Sequence, residues 1–298
     1  MANTTLCGRR AARYSSAMTD TSNPRPAAPP IVWTIAGTDP SGGAGIPADL
    51  LTLHDLGCHG ASVVTAILAQ NTLGVVRIEP ASALIVRAQL TALADDLPPA
   101  AVKIGMLSRA EIVRAVAETL AGVSAPAVCD PVLASTGGAA LLDTTGRGAL
   151  VSELLPRLAV LTPNAPEAEI LTGQRIASPD DVRRAADRLL AMGPRAVVLK
   201  GGHFGGSDAR DYFSDGRETF WMASPRQAIP RHGTGCVFSS ALAAGLAQGV
   251  SLADAAMRAK AYVNQGFRLG AALGHGRPPL AHAGEPGDPR DWPLRIPA

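Results

Sequence analysis

The chain is 298 residues long, 47% hydrophobic and 17% charged, with 27 basic against 25 acidic residues for a formal net charge of +2. That is enough apolar material for one large α/β domain or two smaller ones. The near balance of charge, with no basic stripe interleaved with aromatics, argues against nucleic acid as a partner, and no apolar run approaches the ~20 residues of a membrane-spanning helix.

Four cysteines, Cys7, Cys58, Cys129 and Cys236, are widely spaced, with no CxxC pair and no paired histidines for zinc. That usage points to a reducing, cytoplasmic setting. Only 4% of residues are aromatic and 31 are glycine, so the elements are expected to pack closely through small residues. Residues 1–30 are rich in Arg, Ser, Thr, Ala and Pro, with Asp20 as the one acidic residue. They loosely match a transit peptide but lack the apolar core of a secretory signal. The preferred reading is a disordered extension, or sequence upstream of a true start at Met18.

After Pro29-Pro30, residues 31–36 form an apolar, β-branched run that predicts a buried strand. It feeds Gly37-Thr-Asp-Pro-Ser-Gly-Gly-Ala-Gly45, and helical periodicity follows over 46–56 with Pro47 in the first turn. Strand, glycine loop and helix together suit ligand binding. A Walker loop is excluded, because Gly42 is followed by Gly43 and not by Lys. Gly43-Ala-Gly45-Ile-Pro-Ala48 fits a loose dinucleotide pattern, but about twenty residues on stand Val63-Val64-Thr65-Ala66, with no acidic ribose ligand. What remains is a backbone loop over a small polar substrate, with Gly37, Asp39 and Asp49 at hand. Turn formation and helix capping account for the two aspartates equally well.

Residues 62–69 predict a second strand ending at Gln70-Asn71-Thr72, an amide pair where α/β proteins place ligand contacts. A helix is expected over 80–97, then a strand and turn over 101–107 that includes Met106, then a helix to Leu120 capped by Ser108. The strand over 125–132 carries Asp130 at its carboxyl end, placed for magnesium or a bound water, or for an ordinary Asx turn before Pro131. Residues 133–145 are rich in Gly, Ser and Thr and read as a mobile flap. A strand over 158–162 precedes Asn164 and Glu167, three apart at a helix start. They can face one site, and they also spell a capping box. Ser178 is expected to cap a helix to Met192. A strand over 196–200 ends at Lys200, able to reach a nucleotide phosphate or to sit solvated, with Gly201-Gly202-His203 after it. Residues 210–222 read as a two-stranded excursion turning at Ser214-Asp215-Gly216. A last helix covers 252–269, and the Gly/Pro-rich tail from 274 is expected to be irregular.

Between these stands Arg231-His232-Gly233-Thr234-Gly235-Cys236, followed by small and apolar residues at helical spacing. Two glycines around Thr234 describe a tight turn that delivers backbone N–H groups to a helix N-terminus, an anion hole in outline. Cys236 falls in the first turn, where the helix dipole is expected to lower the thiol pKa and suit it as general base toward a hydroxyl attacking a phosphoryl group. A buried structural cysteine fits the same residues. Five or six strands alternating with helices predict an α/β fold, a doubly wound, mostly parallel sheet with helices on both faces. Gly37, Gln70, Asp130, Asn164, Glu167, Lys200 and 233–236 then gather at the carboxyl edge of that sheet.

Taken together, Ala36-Gly-Thr-Asp-Pro-Ser-Gly-Gly-Ala-Gly-Ile, Ala69-Gln-Asn-Thr, Lys103-Ile-Gly-Met-Leu, Cys129-Asp-Pro-Val, Thr162-Pro-Asn-Ala-Pro-Glu-Ala, Lys200-Gly-Gly-His and His232-Gly-Thr-Gly-Cys resemble the bacterial hydroxymethylpyrimidine/phosphomethylpyrimidine kinases of thiamine synthesis, in the ribokinase superfamily. The resemblance runs from about residue 31 to 276, leaving 1–30 and 277–298 without counterpart. It implies a ribokinase-like three-layer sandwich and an ATP- and Mg2+-dependent kinase. Such enzymes phosphorylate 4-amino-5-hydroxymethyl-2-methylpyrimidine and then its monophosphate. It further implies that Gln70 bonds the pyrimidine with Met106 packed near it, that Glu167 of the NxxE motif acts on magnesium through water, that Gly233, Thr234 and Gly235 form the anion hole, and that Cys236 stands where sugar kinases carry an aspartate base. A homodimer is implied as well. Two departures stand out: Pro47 where many relatives have Gln, and no lysine in residues 130–138 to reach the phosphates. The rival readings are a pyridoxal or pyridoxine kinase and a non-catalytic binder of a pyrimidine or nucleotide.

Overall fold

A computed structural model of the chain describes residues 27–134, 140–201 and 207–298. The reading of 1–30 lies almost wholly outside the described residues, as do Gly202 and His203 and the middle of the expected flap.

Strand β1 (Ile31–Gly37) leads to α1 (Gly45–Asp55), β2 (His59–Asn71), β3 (Gly74–Pro80), α2 (Ala83–Asp96), β4 (Ala101–Ile104), α3 (Ala110–Leu120) and β5 (Ala127–Cys129). Then come α4 (Thr144–Ala149), β6 (Val160–Leu161), α5 (Ala165–Thr172), α6 (Pro179–Leu190), β7 (Ala196–Leu199), β8 (Asp208–Ser214), β9 (Thr219–Pro225), α7 (Thr234–Ala247), α8 (Leu252–Leu269) and β10 (Leu294–Pro297). All the strands join one sheet in the order β10-β9-β8-β7-β6-β5-β4-β1-β2-β3. The block from β2 to β7 is parallel, while β3 and β8–β10 run antiparallel at the two edges.

The central parallel strands are mostly apolar because helices cover both faces. Alternation then sorts their side chains. Trp33, Ile35, Ile104, Leu161 and Leu199 pack with α2 to α6, whereas Val32, Val128, Val160 and Val198 pack under α1, α7 and α8. The expected doubly wound, three-layer α/β arrangement is what forms. Helix α6 starts at a capping box between Ser178 and Asp181, as expected from Ser178. Helix α7 is buried nearly all round, with Val237, Phe238 and Leu242 in the core. Each such side chain contributes roughly 1.5–3 kcal/mol, which offsets the poor helix propensity of its Thr-Gly-Cys start.

Four expectations are corrected. Helix α2, expected from residue 80, begins only at Ala83 with Ser82 as its cap, and residues 74–80, where the sequence reading has no strand, form β3. The cause is a hairpin: Asn71 Oδ1 accepts the N–H of Leu73 at 2.9 Å and closes a tight turn onto β3. Gln70 therefore lies within β2, not past its end. Ser108 does not cap α3; it sits at φ 65 with its hydroxyl buried and unpartnered, and Arg109 is the N-cap. The C-terminal tail is not merely irregular, since β10 pairs with β9 and the His232 N–H donates to Pro278 O at 3.0 Å.

Candidate functional site

Strand β1 has β2 on one side and β4 on the other, so the chain reverses its winding there. Open α/β sheets bind ligands in the crevice outside such a point. A cavity of about 670 Å3 lies there, lined by Gly37, Asp39, Gln70, Met106, Asp130, Asn164, Glu167, Lys200 and residues 231–236. Every candidate placed at the carboxyl edge by sequence lines this one cavity.

The shape of the turn before α7 follows from backbone sterics. Gly233, the N-cap of α7, sits at φ 79, and a Cβ there would overlap the carbonyl oxygen of Gly43. No side chain caps α7, so its first N–H groups stay open to an anion. A Cβ on Gly235 would come within 2.5 Å of Asp130 Oδ2 and 3.0 Å of Lys200 Nζ, so only glycine lets the turn lie against that pair. Lys200 Nζ donates to Asp130 Oδ1 at 2.7 Å, and burial, which disfavours its charge, is outweighed by Asp130 and Glu167. Lys200 is thus paired and mostly buried, not solvated.

Asn164 and Glu167 form the reciprocal capping box of α5, each side chain accepting the other's backbone N–H at 2.9 Å. Burial, with Asp130 nearby, pushes the Glu167 carboxyl up to about 7. The Asp130–Glu167–Lys200 group therefore has more negative charge than one lysine relieves. Met106 packs against Ala66, Leu68 and Leu141 on the opposite wall.

Cys236 departs from expectation. Burial pushes its thiol up to about 11, although Lys103 and the Gly45 N–H favour the thiolate. The helix dipole does not overcome partial burial at the cavity wall.

Three pairings escaped the sequence reading. Lys103, wholly buried in β4, donates to Asp49 Oδ2 at 2.7 Å, and Thr34 and Ser240 complete the shell of that carboxylate. Burial works against the Lys103 charge, yet Asp49 holds it at about 12. The available signal was a lysine inside an otherwise apolar strand, which requires a buried partner. Lys260 on α8 donates to Asp211 Oδ2 at 2.7 Å while Asp211 Oδ1 accepts the Gly201 N–H, fixing the backbone just after Lys200. Asp39, 2% exposed, is fully engaged. Oδ1 accepts from Ser41, and Oδ2 accepts from the Ala44 N–H at 2.9 Å and from His232 Nε2 at 3.0 Å. Burial opposes its ionisation, but the bonds from His232 and Ser41 hold it below the ordinary carboxylate value. Gln70 Nε2 lies 2.6 Å from that same His232 nitrogen.

A profile of the family described as phosphomethylpyrimidine kinase matches residues 39–281. The chain is 48% identical over 258 residues to the hydroxymethylpyrimidine/phosphomethylpyrimidine kinase of Streptomyces coelicolor, across 86% of this chain and 96% of that protein. It is 44% identical over 262 residues to the thiamine biosynthesis bifunctional protein ThiED of Geobacter sulfurreducens, covering 87% of this chain and 54% of that one. Among solved structures, pyridoxal kinase from Staphylococcus aureus in complex with AMP-PCP superposes with a TM-score of 0.80 at 32% identity, over 90% of this chain and 97% of that one. With an uncapped helix N-terminus, a mostly buried lysine and two buried carboxylates in one crevice of a ribokinase-like sandwich, and with likeness of this extent, the chain is a phosphotransferase that belongs to the phosphomethylpyrimidine kinase family.

Proposed function

We propose that the protein transfers the γ-phosphoryl group of ATP to the hydroxymethyl oxygen of 4-amino-5-hydroxymethyl-2-methylpyrimidine, and then to the resulting monophosphate, for thiamine diphosphate synthesis. The observation that carries this reading is the convergence, in one cavity, of the 233–236 turn with the Asp130–Lys200 pair on one side and Gln70 with Met106 on the other. Phosphoryl transfer needs in-line placement and charge stabilisation more than covalent chemistry. Gln70 and Met106 hold the heterocycle, the N–H groups of 233–236 receive charge on the transferred group, Lys200 neutralises the phosphates, and the attacking hydroxyl passes its proton to Cys236 Sγ in the fraction of molecules where that sulfur is a thiolate, as ADP leaves.

Asp130 and Glu167 suit magnesium. Both are buried, and the carboxylates repel one another, Asp130 adding to the burial that raises Glu167, so a cation held between them would relieve that repulsion. Magnesium is commonly held by one or two carboxylates together with water and substrate phosphate, a set that these two side chains can begin. When bound, magnesium supplies charge neutralisation on the phosphates. A cytoplasmic homodimer completes the reading. Cys58, Cys129 and Cys236 are free thiols, and Ile67, Leu73 and Val76 stand 64%, 71% and 79% exposed on the β2–β3 hairpin, apolar surface that a second copy would cover.

The deciding experiment is an ADP-release assay with ATP and magnesium, offering the hydroxymethylpyrimidine, its monophosphate and pyridoxal in parallel. Turnover of both pyrimidines with little on pyridoxal is the expected result. Turnover of pyridoxal alone would move the protein to vitamin B6 salvage, the reading that the likeness to a pyridoxal kinase structure favours.

A further inference from the structure

His232 directly precedes the anion-hole turn, yet its side chain points to the heterocycle end of the cavity. Its Nε2 stands between two groups, the Asp39 carboxylate at 3.0 Å and the Gln70 amide at 2.6 Å. Asp39 is buried, and every other atom within hydrogen-bond reach of its oxygens is a donor: the Ser41 N–H and hydroxyl and the Ala44 N–H. A neutral imidazole with a bare Nε2 would place a lone pair against that carboxylate, so the proton belongs on Nε2. An Nε2–H cannot then accept from the Gln70 NH2. A half-turn about the last bond of Gln70 exchanges Oε1 and Nε2 within the same volume, and the single Nε2–H of His232 is then shared as a bifurcated donor between Asp39 Oδ2 and Gln70 Oε1.

We infer that His232, with Asp39 behind it, is a specificity-determining positioning residue: it holds the Gln70 carbonyl oxygen toward itself and leaves the amide N–H groups to the cavity. Gln70 then meets its ligand as a donor, so the group it selects is an acceptor, the unprotonated ring nitrogen of an aromatic heterocycle. An exocyclic amine alone does not satisfy it. This assignment rests on the reading of Gln70 as the heterocycle contact.

The test is a double-mutant cycle of His232→Ala and Gln70→Ala on the full chain, with KM for heterocycle, KM for ATP and kcat measured separately. His232→Ala is expected to raise the heterocycle KM about tenfold, the weight of one hydrogen bond, while the ATP KM and kcat move by less than about threefold. In the Gln70→Ala background the same change adds nothing. His232→Asn, which keeps a side-chain N–H, recovers part of the loss. An analogue with the ring nitrogen replaced by CH is discriminated by the wild type and much less by His232→Ala. Additive effects in the cycle, or a fall in kcat with a rise in ATP KM, would assign His232 to the phosphate turn and overturn the inference. If the wild type turns over pyridoxal and no pyrimidine, the proposed substrate falls, and the same cycle run on pyridoxal still decides the role of His232.

Discussion

At the scale of single residues, the site trades ionisation against burial. The Cys236 thiol, raised to about 11, carries its proton at neutral pH, so only a small thiolate fraction is present to act as base. Because a base must be deprotonated to work, kcat is expected to rise as pH increases from 7 toward 10, and a pH–rate profile of Cys236→Ala should lack that rise. The same variant is expected to lose about 10²–10⁴-fold in kcat, the usual worth of a positioned base, while calorimetry shows ATP affinity within about twofold of wild type. Glu167 acts in the same direction on binding. Its carboxyl is held up to about 7 chiefly by burial, so protons compete with magnesium below that pH. The apparent affinity for magnesium–ATP should therefore weaken as pH falls from 8 to 6, and Glu167→Gln should remove that dependence along with much of the affinity.

At the scale of elements, the first turn of α7 is the part with least latitude. Gly233 needs a left-handed φ of 79 and leaves no room for a Cβ against Gly43. Gly233→Ala should cost on the order of 1–3 kcal/mol in urea unfolding from backbone strain, with further loss from the clash. Activity should fall more than stability does, since α1 and α7 must part to admit the methyl and the N–H groups move with them. The turn was legible as Gly-Thr-Gly before a small-residue helix. The strand β3 was not, because residues 74–80 sit at the sheet edge with most side chains at least partly exposed, so neither burial nor helical period marks them. Short edge strands take their definition from the neighbour they pair with.

At the scale of the whole molecule, the tail is part of the domain. Arg231 Nη1 donates to Pro279 O at 2.8 Å, the His232 N–H is held by Pro278, Leu280 is 4% exposed, and β10 covers the edge of β9. Truncation after Gly276 should lower Tm by several degrees and promote association through the uncovered edge, measured by thermal melting with light scattering.

The sequence by itself determined the α/β class, the alternation that makes a doubly wound sheet, the capping box of α5 and the Ser178 cap of α6, and the set of residues at strand ends. Those features are written in local periods of two and 3.6 residues and in turn chemistry, all within a few positions of one another. Only the tertiary structure decided the partners. Lys103 with Asp49, Lys200 with Asp130 and His232 with Asp39 are separated by 54, 70 and 193 positions. Their charge states are therefore not local either. Cys236 has the first-turn position that favours a thiolate, but the elements that half-bury it at the cavity wall and bring Asp49 and Asp130 near it raise its thiol instead.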